Sequence, residues 1–91
     1  MTRLRHAVPG LIHDHVRAHS HCARNRGELD DSSQCGCFYC LAMFPPAEIT
    51  EWVGGEETAL CARCGIDSVI GCASGYPITS EFLKRMHDYW F

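Results

Sequence analysis

The chain has 91 residues, of which 46% are hydrophobic, and a formal net charge of −3 at neutral pH. This length suits one small domain, which buries roughly 60–65% of its unfolded surface and to which an added cross-link, such as a bound metal, would contribute stability. The sequence has no apolar run of membrane-spanning length and no N-terminal stretch typical of a signal peptide. Seven cysteines, an odd number with four in close pairs, indicate a reducing compartment rather than a disulfide framework. We therefore expect a cytoplasmic protein that does not bind membranes.

Charge is divided unevenly along the chain. Up to Arg26 there are five arginines and one acidic residue, whereas the chain from Gly27 onward has three basic and ten acidic residues. Four thiolates on a divalent cation would add a further charge of about −2. The core is therefore acidic, which is a poor match to the phosphate backbone of a nucleic acid.

Residues 1–34 are predicted to form a basic, histidine-rich helical arm, separate from a zinc-finger domain over residues 35–91. A helix can begin after Pro9-Gly10. Its weak apolar face would consist of Leu11, Ile12, Val16 and Ala18. Five of the six histidines belong to this arm, namely His6, His13, His15, His19 and His21.

His15, His19 and Cys22 are spaced so that they share one side of a helix. One interpretation is a second, weaker metal site. The favoured interpretation is a solvated, histidine-rich helix.

Two Cys-x-x-Cys pairs carry the strongest signal in the chain. They are Cys37-Phe-Tyr-Cys40 and Cys61-Ala-Arg-Cys64. Each pair forms a knuckle, a tight turn that brings two sulfurs onto one metal, and four thiolates suit a closed tetrahedral zinc site. The sequence therefore predicts one structural zinc ion, with an apparent binding energy on the order of 10–16 kcal/mol.

The remaining cysteines near these pairs leave one choice open. Cys35 competes with Cys37 as the first ligand, but the two-residue spacing to Cys40 favours Cys37. We expect Cys35 and Cys72 to be small, partly buried thiols or neighbours of the site.

A β-hairpin is predicted between the two knuckles. Residues 48–53 alternate polar and apolar side chains as a half-buried strand does, and residues 58–60 form a returning strand after the turn at 54–57. A helix over residues 47–53, beginning near Pro46, is the alternative. For residues 64–71 both a short helix and a strand remain open.

The last helix has the clearest local signals. Thr79 is a suitable N-cap, Glu81 lies in the first turn, and Ile78 can contact Leu83 as a hydrophobic staple. One face of this helix consists of Phe82, Leu83, Met86, Tyr89 and Trp90. We expect this face to pack on the zinc core, with His87 at its edge.

The order of these elements resembles a treble-clef zinc finger, in which a knuckle and a β-hairpin are followed by a second knuckle that opens a helix. The resemblance implies a small α+β zinc-stabilised domain, here with an additional N-terminal helix and an amphipathic C-terminal helix. HNH-type nucleases share this arrangement, and their first knuckle is similar to Cys37-Phe-Tyr-Cys40. Those nucleases need a catalytic histidine on the hairpin, and residues 48–53 contain none.

A closer resemblance covers residues 35–91. Its runs are Cys35-Gly-Cys-Phe-Tyr-Cys40, Glu48-Ile-Thr-Glu-Trp52, Thr58-Ala-Leu-Cys-Ala-Arg-Cys-Gly-Ile-Asp-Ser-Val-Ile-Gly71 and Ser74-Gly-Tyr-Pro-Ile-Thr-Ser-Glu-Phe-Leu83. This pattern resembles small bacterial proteins usually labelled "cytoplasmic protein", which commonly have Pro where Ala62 stands. The resemblance implies a zinc-bearing bacterial cytoplasmic domain and carries no agreed activity.

The leading functional hypothesis is a non-enzymatic protein–protein interaction or adaptor module with a structural zinc. It depends on the closed four-cysteine site and on the aromatic end Tyr89-Trp90-Phe91, which can anchor a partner protein. The alternative is a nucleic-acid-binding zinc finger that uses Arg17, Arg24 and Arg26. Neither an acid–base set nor an open metal position is evident, so no catalytic residue is predicted.

Overall fold

The structure, a computed structural model, describes residues 13–91 as a small α+β fold with short helices and strands. The helices are α1 (Asp14–Arg17), α2 (Arg26–Asp30) and α3 (Ser80–Trp90). The strands are β1 (Cys35–Cys37), β2 (Met43–Phe44), β3 (Trp52–Val53), β4 (Thr58–Ala59) and β5 (Val69–Gly71). Three 3-10 helices lie between them, at Ala18–Cys22, Pro46–Glu48 and Cys72–Ser74.

The strands form two antiparallel sheets. The larger has the order β2-β1-β5, with Cys35 opposite Phe44 on one side and Gly71 on the other. The smaller is the β3-β4 hairpin, in which Trp52 pairs with Ala59. Because β1 is the central strand and ends at Cys37, the sheet leads directly into the first Cys-x-x-Cys pair.

The segment after the second Cys-x-x-Cys pair contains a strand. Of the two structures left open for residues 64–71, the structure contains β5, whose β-branched Val69 and Ile70 suit a buried strand. A treble clef requires a helix that opens at its second knuckle, and here residues 65–71 include no helix. The treble-clef prediction is therefore not confirmed.

The predicted hairpin is present but shorter than expected. Only Trp52 and Val53 of the predicted first strand pair with β4, and Pro46–Glu48 form a 3-10 helix. Pro46 at the start of this turn has the fixed φ that suits a helical first position. The helical alternative is thus realised for a single turn only.

Two buried apolar clusters form the core. The first consists of Leu29, Cys35, Cys37, Phe44, Ile49, Ala59, Cys61 and Val69. The second consists of Ala18, Cys22, Phe38, Ile70, Phe82, Leu83 and Met86. Neighbouring residues such as Val69 and Ile70 belong to different clusters because side chains alternate across a strand.

The chain before Cys35 contributes to both clusters. Leu29 of α2 lies in the first cluster, and Ala18 and Cys22 lie in the second. The predicted apolar residues Leu11 and Ile12 lie outside the described residues. The described part of the N-terminal region therefore packs on the same core as the rest of the chain.

Helix α3 confirms the local predictions for the C-terminal end. Thr79 adopts an extended conformation, and its Oγ1 accepts a hydrogen bond from the backbone N–H of Phe82 at 3.1 Å. Phe82, Leu83 and Met86 are buried in the second cluster. Tyr89 and Trp90, predicted on the same face, remain substantially exposed.

Over residues 13–91, no helix combines the length and the apolar character that crossing a membrane would require.

Candidate metal centre

The four cysteines of the two Cys-x-x-Cys pairs lie together. The Sγ atoms of Cys37 and Cys64 are 3.7 Å apart, as are those of Cys40 and Cys61. All four sulfurs lie within 4.8 Å of one another. A tetrahedral site with metal–sulfur bonds of about 2.3 Å requires sulfur–sulfur distances of about 3.8 Å. The cluster can therefore hold a metal ion, and its sulfurs are too far apart for disulfides.

The first knuckle is shaped by hydrogen bonds to Cys37. The backbone N–H groups of Tyr39 and Cys40 donate to Cys37 Sγ, at 3.3 and 3.4 Å. Leu41 N–H donates to Cys37 O at 2.8 Å, with Leu41 in the left-handed region at a φ of 68°. This turn brings the Cys40 thiol beside that of Cys37, as a metal-binding knuckle requires.

The second knuckle repeats the same pattern. Cys61 Sγ accepts from the backbone N–H groups of Arg63 and Cys64, at 3.3 and 3.4 Å. Gly65 N–H donates to Cys61 O at 3.0 Å, and the φ of Gly65 is 80°. A glycine adopts this conformation at no steric cost, whereas Leu41 adopts it with a side chain attached. Two knuckles of matching geometry thus face each other.

Ser68 is a contact of the cluster that sequence analysis missed. It is buried, and its Oγ lies 3.0 Å from Cys37 Sγ. Its carbonyl also accepts a hydrogen bond from the N–H of Phe38 at 2.9 Å. A hydroxyl that donates to a thiolate stabilises its negative charge, so Ser68 supports Cys37 as a ligand. A serine four residues after a Cys-x-x-Cys pair carries no recognisable signal.

The other cysteines lie outside the cluster. Cys35 is fully buried and its thiol donates to the carbonyl oxygen of Phe44 at 3.3 Å. Burial, followed by the nearby Cys61, raises the pKa of Cys35 to about 12, so it remains a neutral thiol. Burial likewise raises the pKa of Cys22 to about 11. The structure thus places Cys37, and not Cys35, among the four clustered sulfurs.

Cys72 differs from its prediction. It is exposed rather than partly buried, and its Sγ lies 3.6 Å from Ser33 Oγ. Hydrogen bonding from the backbone of Gln34, and next from the Ser33 side chain, lowers the pKa of Cys72 to about 7. Cys72 is exposed and has a lowered pKa because it follows β5, where its thiol meets polar groups of the loop before β1.

The suggested second metal site at His15, His19 and Cys22 is not formed. Among residues 13–91, the four cysteines are the one set of three or more His, Cys, Asp or Glu side chains close enough to share an ion. The centroids of the His15 and Tyr89 rings lie 5.2 Å apart in an edge-on contact, and those of His19 and Trp90 lie 3.9 Å apart. The favoured picture of a solvated helix is therefore also wrong, since these rings pack on α3.

An aromatic surface lies over the first knuckle. It consists of the exposed rings Tyr39, Tyr89, Trp90 and Phe91, with exposures of 43%, 56%, 37% and 58%. The Tyr39 and Phe91 rings meet edge-on at 4.8 Å, and those of Tyr89 and Trp90 do so at 4.9 Å. His87 lies at the edge of this surface, with its ring 5.7 Å from that of Phe91, as predicted.

Asn25 is a second residue that sequence analysis missed. It is buried, its Nδ2 donates to the carbonyl oxygen of Val69 at 2.8 Å, and its Oδ1 accepts from the N–H of Ala59 at 3.1 Å. One amide side chain thus joins β4 of the hairpin to β5 of the larger sheet. Both partners are 34 or more residues away in sequence, so no local pattern indicates the contact.

Comparison with known proteins adds no relative. No protein-family model matches the chain, and neither does any curated protein or solved structure. The resemblance to small bacterial cytoplasmic proteins therefore stays a prediction.

Proposed function

We propose that the protein is a zinc-stabilised interaction module that binds another protein through its aromatic surface. One structural zinc would be held by four thiolates, from Cys37, Cys40, Cys61 and Cys64. The observation that carries the proposal is the close approach of these four sulfurs, with the exposed ring of Tyr39 in the first of the two knuckles. Seven free cysteines support a reducing location such as the cytoplasm.

The aromatic surface supports protein binding over other roles. Tyrosine and tryptophan are enriched among the residues that dominate interface energies, because they bury large areas with few rotatable bonds. Here Tyr39, Trp90 and Phe91 are exposed although apolar groups of this size are usually buried. The occupant we propose is an apolar or aromatic segment of a partner protein, which would meet these rings edge-on.

A non-enzymatic role is part of the proposal. The described histidines near the cluster are engaged in packing: His87 Nδ1 lies 3.2 Å from the carbonyl oxygen of Phe38, and His19 contacts the ring of Trp90. Four thiolates would also fill all positions of a tetrahedral metal, which leaves none for a substrate.

Nucleic-acid binding has less support. Arg26, one of the three arginines considered for it, donates to the carbonyl oxygen of Glu56 and stacks 4.3 Å above the Trp52 ring. Arg17 lies 3.7 Å from a carboxylate oxygen of Asp14. A guanidinium held by its own chain is less available to a phosphate. Binding of an oligonucleotide that weakens steeply with salt would favour this alternative.

The first experiment determines the metal. Native mass spectrometry of the protein as purified should find one zinc per chain, and a chelator should remove the zinc and the folded state together. Two metals per chain, or a fold that survives metal removal, would contradict a structural zinc.

The second experiment addresses the partner. Cross-linking in an extract of the source cells should yield a protein that is captured by the native chain and lost with Tyr39→Ala/Phe91→Ala. The matched control is Met43→Ala/Val53→Ala, which removes exposed apolar groups elsewhere. Equal losses with both variants, or capture of a second copy of the chain alone, would argue against the proposed surface.

A further inference from the structure

The four sulfurs of the cluster are protected to different degrees. Cys37 is fully buried, and its Sγ is close to three donors, the N–H groups of Tyr39 and Cys40 and the Ser68 hydroxyl. Cys61 is 4% exposed and accepts two backbone N–H groups. Cys40 is exposed, and its thiol meets the backbone of Ala42.

These differences decide which sulfur meets an oxidant first. A hydrogen bond to a thiolate withdraws charge from sulfur and makes it a weaker nucleophile, and burial keeps dissolved oxidants away. Cys64, whose thiol meets the backbone of Ile66, is a partly buried residue. Cys40 is therefore the most exposed residue of the four, and we expect a dissolved oxidant to reach it first.

We propose that Cys40 is a modification site for hydroperoxides, and that its oxidation opens the metal site and changes the aromatic surface. This inference depends on the zinc site of the proposed function. It makes the interaction module responsive to oxidants through one named sulfur.

The chemistry balances without a further reactant. The Cys40 thiolate attacks one peroxide oxygen, a sulfur–oxygen bond forms, the oxygen–oxygen bond breaks and hydroxide leaves, giving a sulfenic acid. The Cys61 thiolate then attacks the Cys40 sulfur, a disulfide forms and a second hydroxide leaves. Two thiolates supply the two electrons that reduce the peroxide. Two of the four ligands are lost, so zinc dissociates.

Cys61 is positioned to resolve the sulfenic acid. Its Sγ lies 3.7 Å from Cys40 Sγ, across the gap between the two knuckles. A disulfide requires about 2.05 Å, so each sulfur need move by only about 1 Å. The resulting cross-link would join the two knuckles directly in place of the metal.

The first knuckle couples this event to the aromatic surface. Phe38 and Tyr39 lie between the ligands Cys37 and Cys40, and the N–H of Tyr39 donates to Cys37 Sγ. The rings of both residues contact that of Phe91, at 5.9 and 4.8 Å. Movement of Cys40 towards Cys61 therefore displaces the Tyr39 ring, which belongs to the same turn, from its contact with Phe91.

The test treats the zinc-loaded full chain with hydrogen peroxide and follows zinc release with a chromophoric chelator. Peptide mapping should find the first sulfenic acid, trapped by dimedone, at Cys40, and then a Cys40–Cys61 disulfide with the loss of two hydrogens. A first adduct at Cys64 or Cys37, or release of zinc before any oxidation of Cys40, would overturn the proposal.

Two matched variants test the assignment. Cys40→His replaces the sulfur by an imidazole that also binds zinc, and Cys64→His makes the same change at the corresponding ligand of the other knuckle. Zinc release should slow by about tenfold or more in Cys40→His and stay near the native rate in Cys64→His. The opposite order would contradict the proposal. If either variant purifies without zinc, the position of the first dimedone adduct on the native chain decides whether Cys40 is the site of oxidation.

Cys72→Ser is the control for the other exposed thiol. Because Cys72 lies outside the cluster, this change should leave peroxide-driven zinc release unaltered. Release that disappears with Cys72→Ser would overturn the role of Cys40. A protein that binds no zinc at all refutes the proposed function, whereas one that binds zinc and resists peroxide refutes this inference alone.

Tryptophan fluorescence follows the aromatic surface directly. The chain contains two tryptophans, so Trp52→Phe leaves Trp90 as the one fluorophore of that kind. Peroxide should shift Trp90 emission in step with zinc release, since its ring lies 3.9 Å from that of His19, which lies 5.7 Å from the Phe38 ring of the first knuckle. Zinc release without any change in Trp90 emission would refute the coupling.

Discussion

The imidazole of His87 and the carbonyl group of Phe38 lie in contact, with Nδ1 3.2 Å from the carbonyl oxygen. His87 belongs to the last turn of α3 and Phe38 follows Cys37 of the four-cysteine cluster, so this hydrogen bond fastens the C-terminal helix to the first knuckle. The bond requires the tautomer in which Nδ1 carries the proton.

Removing this contact should destabilise the protein modestly. His87→Ala is expected to lower the free energy of unfolding by about 1 kcal/mol, because one partly buried hydrogen bond and the ring contact with Phe91 are lost. Lys84→Ala on the same helix is the control, since its pairing with Asp88 is exposed and contributes little. Urea denaturation measures both, and equal effects would contradict the special role of His87.

Removing one of the four clustered thiols should lower the stability of the fold far more than removing the Cys72 thiol. Cys61→Ser removes a metal ligand, so we expect zinc binding and cooperative unfolding to disappear. Cys72→Ser changes an exposed thiol outside the cluster and should melt within a few degrees of the native chain. Circular dichroism with metal analysis measures this, and a Cys61→Ser protein that keeps its zinc would refute the ligand assignment.

Asn25 should be among the most sensitive polar positions. Asn25→Ala leaves the carbonyl of Val69 and the N–H of Ala59 without their partner, at an expected cost of about 2–4 kcal/mol. Asp31→Ala truncates a side chain of similar size at an exposed site and should cost less than about 1 kcal/mol. Chemical denaturation compares the two. If Asn25→Ala lowers the free energy of unfolding no more than Asp31→Ala does, water must replace the hydrogen bonds of the amide.

Two glycines should respond in opposite ways to the same substitution. A Cβ added at Gly36 would lie 2.7 Å from Leu83 Cδ1 and 3.1 Å from Ile78 Cγ2, so Gly36→Ala should destabilise by about 1–3 kcal/mol through overpacking of β1 against α3. A Cβ at Gly27 in α2 would meet nothing within 4 Å, and Gly27→Ala should stabilise by about 0.5–1 kcal/mol. Thermal melts that fail to separate the two variants would contradict the close approach at Gly36.

His15 should make stability depend on pH. Burial, followed by the charges of Arg85 and His13, lowers the pKa of His15 below 6.5, and its buried Nδ1 has no hydrogen-bond partner among residues 13–91. The unfolded chain therefore binds more protons than the folded one near this pH. The stability that neutral His15 provides is present above pH about 6.5 and is lost as the pH falls through the folded pKa.

The matched variant is His15→Gln, which cannot titrate. Its melting temperature should fall less than that of the native chain between pH about 7.5 and 5.5. Acid also weakens thiolate–metal bonds in both proteins, so the difference between them is the measurement. Identical pH profiles would show that His15 does not titrate in this range.

Prediction from the sequence succeeded where the signals are local. The N-cap at Thr79 and the apolar face of α3 depend on residues within one or two turns, and a Cys-x-x-Cys pair forms a knuckle from a run of four residues. The short hairpin at β3 and β4 also joins neighbouring segments. These elements required no knowledge of the rest of the fold.

The failures involve contacts between distant segments. Pairing of β5 with β1 decides that Val69–Gly71 is a strand, as its β-branched residues favour, whereas the treble-clef resemblance favoured a helix. His19 packs on Trp90 although nothing near His19 indicates a partner 71 residues later. Tertiary packing thus places His15 and His19 against α3, a contact that no local pattern in the sequence indicates.

The position of the hairpin between the knuckles has a consequence for the order of folding. A metal that joins Cys37 to Cys61 must close the intervening loop, and the entropy cost of closure grows with the length of flexible chain. Pairing of β3 with β4 brings Trp52 and Ala59 together within that loop and shortens it before any sulfur meets. Each knuckle is itself a local turn. The hairpin therefore lowers the entropy cost of joining the two knuckles, and we expect metal binding to be the last step, the one that makes the fold stable.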